Sequence, residues 1–172
     1  MKTSDDGRRL IEAFEGLFLS AYDDADDRIM KLGQVVRGTL TIGYGHTSAA
    51  GPPKVYIGMT ITHEEADSFL SSDLTSVELE IAHLVKVSLD QQQFDALVSF
   101  QYNTGWLAHR QCSLLAALNA GNYDLADKDF GLYDEAAGKV LAGLQRRRRA
   151  EALMFSGKVQ QAFAVAGVPV VS

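Results

Sequence analysis

Glu15 is the most informative acid in the sequence. It falls in the last turn of a helix that the apolar stripe Leu10, Ile11 and Phe14 predicts, directly before Gly16. The negative end of a helix dipole and the apolar neighbours Phe14 and Leu17 both work against a charged carboxyl at that place. A carboxyl that keeps its proton near neutral pH is what a general acid needs. Most glutamates on amphipathic helices are simply solvated, so position alone does not decide the matter. Asp24 follows with eight residues between the two. That is enough chain to leave the helix and enter a strand, and a turn can bring the second carboxyl back across a cleft. Paired carboxylates flanking a bond are the chemistry of glycoside hydrolysis. Asp23, Asp26 and Asp27 compete for the second place, because acid-rich turns are common.

Thr41 opens the run Thr41-Ile42-Gly43-Tyr44-Gly45-His46-Thr47. A strand threonine is usually a β-former, but a hydroxyl facing a cleft can also hold a water. The glycines do not make a phosphate loop, because the lysine and the following helix start are missing. His46 has no second His or Cys at ligand spacing, so pairing with an acid from a neighbouring helix is the better reading than a metal site. Cys112 has no catalytic companion and reads as a small core residue. The run Arg146-Arg147-Arg148-Arg149 points in four directions on a helix. It is therefore not one basic stripe, and the expectation is that one arginine turns inward.

These residues need elements to carry them. Ser4 is a good N-cap, with Asp5 and Asp6 in the first turn, so a helix is expected over about 4–15. Residues 17–60 alternate and are punctuated by glycine, which predicts a small antiparallel β lobe. Thr62 and Glu65 form a capping box, and Ala66, Phe69, Leu70, Leu74, Val77 and Ile81 continue an apolar helical face. Further helices are expected from about Asp90, around 113–119, 123–131 and 143–155. A helical lobe over about 62–157 would then be followed by a short tail, 158–172. The class is α+β in one domain, 1–172, with two unequal lobes and a cleft where they meet.

The bulk numbers set outer limits. The chain has 172 residues, 47% hydrophobic and 22% charged, which suits a folded domain and not disorder. With Lys+Arg at 16 against Asp+Glu at 22, the net charge of −6 argues against a dedicated nucleic-acid binder. One cysteine excludes an intramolecular disulfide framework. The start MKTSDDGRRLIEAFEG lacks the basic and apolar regions of a signal peptide, and no stretch approaches membrane-spanning length. Synthesis in the cytoplasm is the expectation, with no stable membrane insertion.

Taken in order, the motifs resemble the phage-type lysozyme (endolysin) family of muramidases over roughly residues 8–157. The head is Phe14-Glu15-Gly16-Leu17, Ala21-Tyr22, Asp24 and the run from Thr41 to Thr47. The tail is Ser99 to Gly105, Ser113-Leu114-Leu115, Leu118 to Gly121, Gly138 to Leu144, and Arg147-Arg148 with Glu151. The resemblance implies a lysozyme-like fold and a triad of Glu15 as general acid, Asp24 as second carboxylate and Thr41. It also implies that His46 pairs with Asp73, that Arg147 approaches Glu15, and that Thr47, Tyr102, Asn103 and Ser113 line the sugar cleft.

Its expected activity is inverting hydrolysis of the β-1,4 bond between N-acetylmuramic acid and N-acetylglucosamine, without metal or cofactor. The implied partner is peptidoglycan, reached from the host cytoplasm through a holin that need not bind the enzyme. The chain is expected to act as a monomer. Rival readings are a non-catalytic peptidoglycan-binding or scaffolding module and a lytic transglycosylase. Two features depart from the family. Sixteen residues, Ala25 to Leu40, separate Asp24 from Thr41, a longer link than many members have. Tyr133 stands where a tryptophan is frequent, which predicts looser packing there.

Among the four acids we place the second carboxylate at Asp24, since Asp26 and Asp27 lie further into the polar segment and should be solvated, and strand alternation separates Asp24 from Asp23. Asp23 and Asp24 point to opposite faces, and Tyr22 shares the face of Asp24. The inserted segment must then loop away so that Thr41 returns on the adjacent strand.

Overall fold

In the computed structural model, which describes residues 1–136 and 138–169, helix α1 runs over Asp5–Glu15 and buries Leu10 and Ile11 completely. Ser4 caps it as expected: its hydroxyl accepts the N–H of Gly7 at 3.2 Å, and its carbonyl accepts that of Arg8 at 2.9 Å. Gly16 ends the helix with φ at +69°, a left-handed conformation that favours glycine.

The chain divides into two compact units, one of Glu15–Thr75 and one of Met1–Phe14 with the chain from Ser76 onward. The first unit holds the sheet. Strands β1 (Phe18–Asp23), β2 (Arg28–Ile29), β3 (Leu40–Gly43) and β4 (His46–Thr47) lie in the order β2-β1-β3-β4, every pair antiparallel. The inserted segment does more than loop away. Its first part turns back as β2 on the free side of β1, pairing Tyr22 with Ile29 and Asp23 with Arg28. Its end leads on the other side into β3, which pairs Thr41 with Tyr22 and Leu40 with Asp23.

Helix α2 spans His63–Leu84 behind the capping box of Thr62 and Glu65, whose reciprocal bonds are 2.7 and 3.1 Å. Its apolar face is that of the sequence, with Ala66, Leu70, Leu74 and Ile81 buried. The division between units falls inside this helix, so its first half belongs with the sheet and not with the helical lobe. The reason lies in packing. The ring of Phe69 sits 5.0 Å from that of His46, and Asp73 bonds the same histidine.

The second unit is built around α3 (Gln91–Thr104), which is buried at every residue from Phe94 to Gln101. A helix covered on all sides is the centre of its unit. Around it come α4 (Ser113–Asn119), α5 (Tyr123–Asp129) and α6 (Ala142–Phe155). Two features differ from the sequence expectation. Glu135–Ala136 and Lys139–Val140 form a short hairpin, β5–β6. The expected tail is structured: Val159–Ala166 is a helix, α7, held because Ala162, Phe163 and Ala166 share one buried face and the guanidinium of Arg9 lies 4.6 Å from the Phe163 ring. Residues 170–172 of that tail lie outside the described residues.

Candidate active site

The sheet unit carries the three residues of the expected triad. Glu15 closes α1 and is half-buried. Thr41 is the partner of Tyr22 on one side and of Thr47 on the other, so Tyr22, Thr41 and Thr47 form one row across three strands. Opposed residues on antiparallel strands share a face. Asp24 stands just past β1. It is exposed, and its Oδ1 accepts the N–H of Thr39 at 2.6 Å. Its backbone N–H in turn donates to the Thr39 carbonyl at 3.1 Å. The partner of Asp24 across the strands is thus Thr39, two places before Thr41.

Tyr22 gathers the acids electrostatically. Its phenol is buried and is pushed up to about 12, first by burial and then by the carboxylates of Asp27, Glu15 and Asp24. Three carboxylates thus act on one phenol, Asp27 most of the three, and its ring is fixed by stacking on Phe18 at 4.0 Å. The hydroxyl of Thr41 donates to the carbonyl of Thr39 at 3.1 Å. Its oxygen lone pairs are then the part that can receive a water's proton. In the sequence Tyr22 marks strand facing and belongs to the motif Ala21-Tyr22, with no role of its own at the site. Its two-residue offset from Asp24 was the signal for its place in the row.

Asp23 takes a different role from its neighbour. It is fully buried, and its carboxyl is held below the ordinary value of 3.8, first by the N–H of Arg37, against the opposing cost of burial, with Gly38, Ala25 and Arg28 assisting. A carboxylate this fully engaged is an anchor for the chain, not a free base.

His46 and Asp73 meet as the resemblance implied. Nδ1 lies 2.9 and 3.1 Å from the two oxygens of Asp73, and Nε2 lies 2.9 Å from the carbonyl of Pro53. A carbonyl only accepts, so Nε2 carries a proton and Nδ1 shares one with Asp73. Burial pushes the Asp73 carboxyl up, while the bond to His46 pulls it back. The pair fastens α2 to β4.

The remaining predicted residues lie in the helical unit. Asn103 and Trp106, with Tyr133, line a pocket of about 590 Å³. Trp106 is part-exposed and stacks on His109 at 4.0 Å. This aromatic wall was not singled out in the sequence, although Trp106 directly follows the helix-ending Gly105. Tyr102 is half-buried on α3. Ser113 donates its N–H to the Tyr133 hydroxyl at 3.0 Å, and that hydroxyl donates to Cys112 Sγ at 3.5 Å. The ring of Tyr133 also meets Phe100 edge-on at 5.1 Å. Tyr133 is thus held by hydrogen bonds and a ring contact while also lining the pocket.

Two arginines of the basic run turn inward, not one. Arg147 and Arg148 are 4% and 1% exposed because Glu151, one turn further along α6, receives both. Burial pushes the Glu151 carboxyl up, against the pull of Arg148 and Arg147. Arg147 also lies 5.4 Å from the ring of Phe14, the residue before Glu15.

Among the described residues, no group of three or more His, Cys, Asp or Glu side chains gathers as a metal site would require. Nor is any helix long and apolar enough to cross a membrane.

Comparison with known proteins gives the family. The phage lysozyme family matches residues 12–151. The chain belongs to that family. It is 38% identical over 156 residues to the endolysin of Salmonella phage P22, with 91% of this chain and 99% of that one covered. It is also 38% identical over 156 residues to the endolysin of Bacillus phage PZA, covering 91% of this chain but 55% of that protein. The chain thus spans about half the length of that endolysin. Among solved structures, the muramidase domain of SpmX from Asticaccaulis excentricus has a TM-score of 0.73 at 36% identity, covering 90% of this chain and 97% of that one. The family's lysozyme-like fold, helices with a small antiparallel sheet, is the fold described above.

Proposed function

We propose that this chain is a glycosidase that cleaves the β-1,4 bond between N-acetylmuramic acid and N-acetylglucosamine in peptidoglycan, as an endolysin does in phage-driven lysis. Family membership supports the reaction class. The observation that supports the residue assignment is the cross-strand row of Tyr22, Thr41 and Thr47, with Asp24 exposed just past the end of β1 and its Oδ1 fixed by the Thr39 N–H.

In this reading Glu15 protonates the glycosidic oxygen as the bond breaks. A water held between Asp24 and Thr41 gives one proton to the Asp24 carboxylate and directs the other at Thr41, which leaves a lone pair aimed at the anomeric carbon. Attack from the face opposite the leaving group inverts the centre, a geometry that asks for carboxyls about 6.5–9.5 Å apart. Thr47, Tyr102, Asn103 and Ser113 contact the sugars, and Arg147 supports Glu15. The reaction takes no metal or cofactor. The enzyme is made in the host cytoplasm, acts as a monomer, and reaches the periplasmic peptidoglycan once a holin opens the membrane.

Glu15→Gln tests the assignment. It removes the transferable proton and preserves size, so clearing of permeabilised Gram-negative cells should slow by about 10²–10⁴-fold with the melting temperature kept. Near wild-type lysis sinks the assignment of Glu15. Mass spectrometry of the products reads the reaction itself. Reducing ends mean hydrolysis, anhydro-muramyl ends mean a lytic transglycosylase, and uncut glycan means a binding module.

A further inference from the structure

We infer that Asp23 and Gly38 are positioning residues that hold the Asp24 carboxylate in its working place, with the inserted segment as their clamp. The inference rests on the reading of Asp24 as the second carboxylate. The oxygens of Asp23 accept the N–H groups of Arg37 at 2.6 Å, Gly38 at 2.9 Å and Ala25 at 3.2 Å. Ala25 begins the inserted segment, whereas Arg37 and Gly38 lie near its end. One buried carboxylate therefore fastens both ends of the insertion together. The guanidinium of Arg28, on β2, stands 3.8 Å away on the same oxygen that Arg37 uses.

The next residue after this anchor is Thr39, and it is the N–H of Thr39 that meets Asp24 Oδ1 at 2.6 Å. Asp24 and Thr39 are both exposed, so a bond between them would gain little by itself against water. The buried bonds next to it supply the rigidity. Gly38 completes the arrangement through space and not through its dihedral angles, for it is not among the glycines at positive φ. A Cβ at position 38 would stand 2.1 Å from Asp24 Oδ1 and 2.9 Å from the backbone nitrogen of Ala25. Contacts that short force something to move. The carboxylate of Asp24 is the freer of the two groups, so it is what leaves its bond to Thr39. A link of sixteen residues has many ways to close, and loop entropy favours all of them over one. The anchor removes that freedom where the carboxylate has to face the reacting water, and a displacement of about 1 Å there is worth about 10²-fold in rate.

The test compares Gly38→Ala, Asp23→Asn, Asp24→Asn and the double variant Gly38→Ala/Asp24→Asn. Turnover of soluble peptidoglycan fragments gives kcat and KM, and NMR follows the Thr39 amide proton. Gly38→Ala should lower kcat by about 10²-fold with KM within about twofold, the pattern of a misplaced reacting group. Its Thr39 amide proton should shift upfield, as an amide does when it loses a hydrogen bond to a carboxylate. In the Asp24→Asn background it should cost no further rate, an outcome that a merely structural role would not produce. Asp23→Asn, whose amide nitrogen cannot accept an N–H, should do the same; it carries the comparison if Gly38→Ala does not fold. Equal rate losses with and without the Asp24 carboxylate overturn the inference, as does an unmoved Thr39 amide in both Gly38→Ala and Asp23→Asn. Wild-type turnover by Asp24→Asn removes the reading of Asp24 and with it the catalytic half of the inference. The amide signal then judges the clamp alone.

Discussion

Removing Glu151 should be among the most damaging single changes to stability outside the proposed site. The carboxylate has no exposure. Its Oε1 accepts from Ser99 Oγ at 2.7 Å, Arg148 Nη2 at 3.0 Å and Arg147 Nε at 3.1 Å, and its Oε2 lies 2.9 Å from Arg148 Nε. Ser99 sits on α3 and the arginines on α6, so one side chain ties the two central helices together. Glu151→Ala leaves two buried guanidinium groups without the anion they share. Breaking a buried pair by deleting one partner costs about 3–5 kcal/mol. The stranded Ser99 hydroxyl adds about 1 kcal/mol. The arginines recover part of this through their other acceptors, Arg147 on the Ser99 carbonyl at 3.2 Å and Arg148 on Asn103 Oδ1 at 2.8 Å. A net loss of about 4 kcal/mol remains, a large share of the roughly 5–15 kcal/mol by which domains are stable. At about 2–4 °C per kcal/mol for a chain of this size, melting should fall by about 10 °C. Urea unfolding followed by circular dichroism measures it. Adding Arg148→Met to Glu151→Ala should recover stability, since it removes one of the stranded charges. A loss below about 1 kcal/mol for Glu151→Ala would refute the reasoning, because it would mean that water already satisfies the cluster.

Three further outcomes are expected. Asp73→Ala strands the buried His46 and should cost about 3 kcal/mol in unfolding free energy, with the lysis rate per folded molecule unchanged; a rate collapse without a stability loss would count against a purely structural pair. Gly7→Ala puts a Cβ 2.7 Å from Asp95 Cγ, which pushes that buried carboxylate off Ser4 and should cost about 1–3 kcal/mol by thermal melting. Asp23 has a folded pKa below its unfolded value of 3.8, so its contribution is complete above that value and is lost as the pH falls through the folded one. Asp23→Asn should therefore be less stable than wild type at pH 6 and should lose less stability than wild type between pH 4 and 2 (roughly the range below the unfolded value).

Much of the fold was legible because its signals are local. The caps at Ser4, Thr62 and Asp90 each satisfy orphan N–H groups within three residues of themselves, and the apolar face of α2 needs only the helical repeat. Helix α7 went unread because no side chain caps its start, and because part of what holds it, the guanidinium of Arg9 against Phe163, joins residues at opposite ends of the chain. Hairpin β5–β6 has exposed residues at all four strand positions, so no alternation marks it. The inward turn of both arginines depended on Glu151 receiving a neighbour at i−3 and another at i−4, a geometry that spacing permits but does not demand. For the site, the order of motifs pointed to the acids that we propose as catalytic. It could not say what Asp23 does, because the partners of that residue come from the far end of the insertion.

The end of β1 shows how alternation distributes roles among neighbours. Tyr22 faces Thr41 in the cross-strand row and feels the carboxylates of Asp27, Glu15 and Asp24. Asp23 points the other way, into a cage of N–H groups with no exposure. Asp24 returns to the side of Tyr22 and is open to solvent. The period of two that places Tyr22 and Asp24 together necessarily places Asp23 opposite them. A second acid next to the proposed catalytic one is therefore not a spare. It faces the inserted chain, where its carboxylate accepts the N–H groups of Ala25, Arg37 and Gly38. Exchanging the two roles would require a one-residue slip of β1 against β3, and such a slip would also carry Tyr22 out of the row.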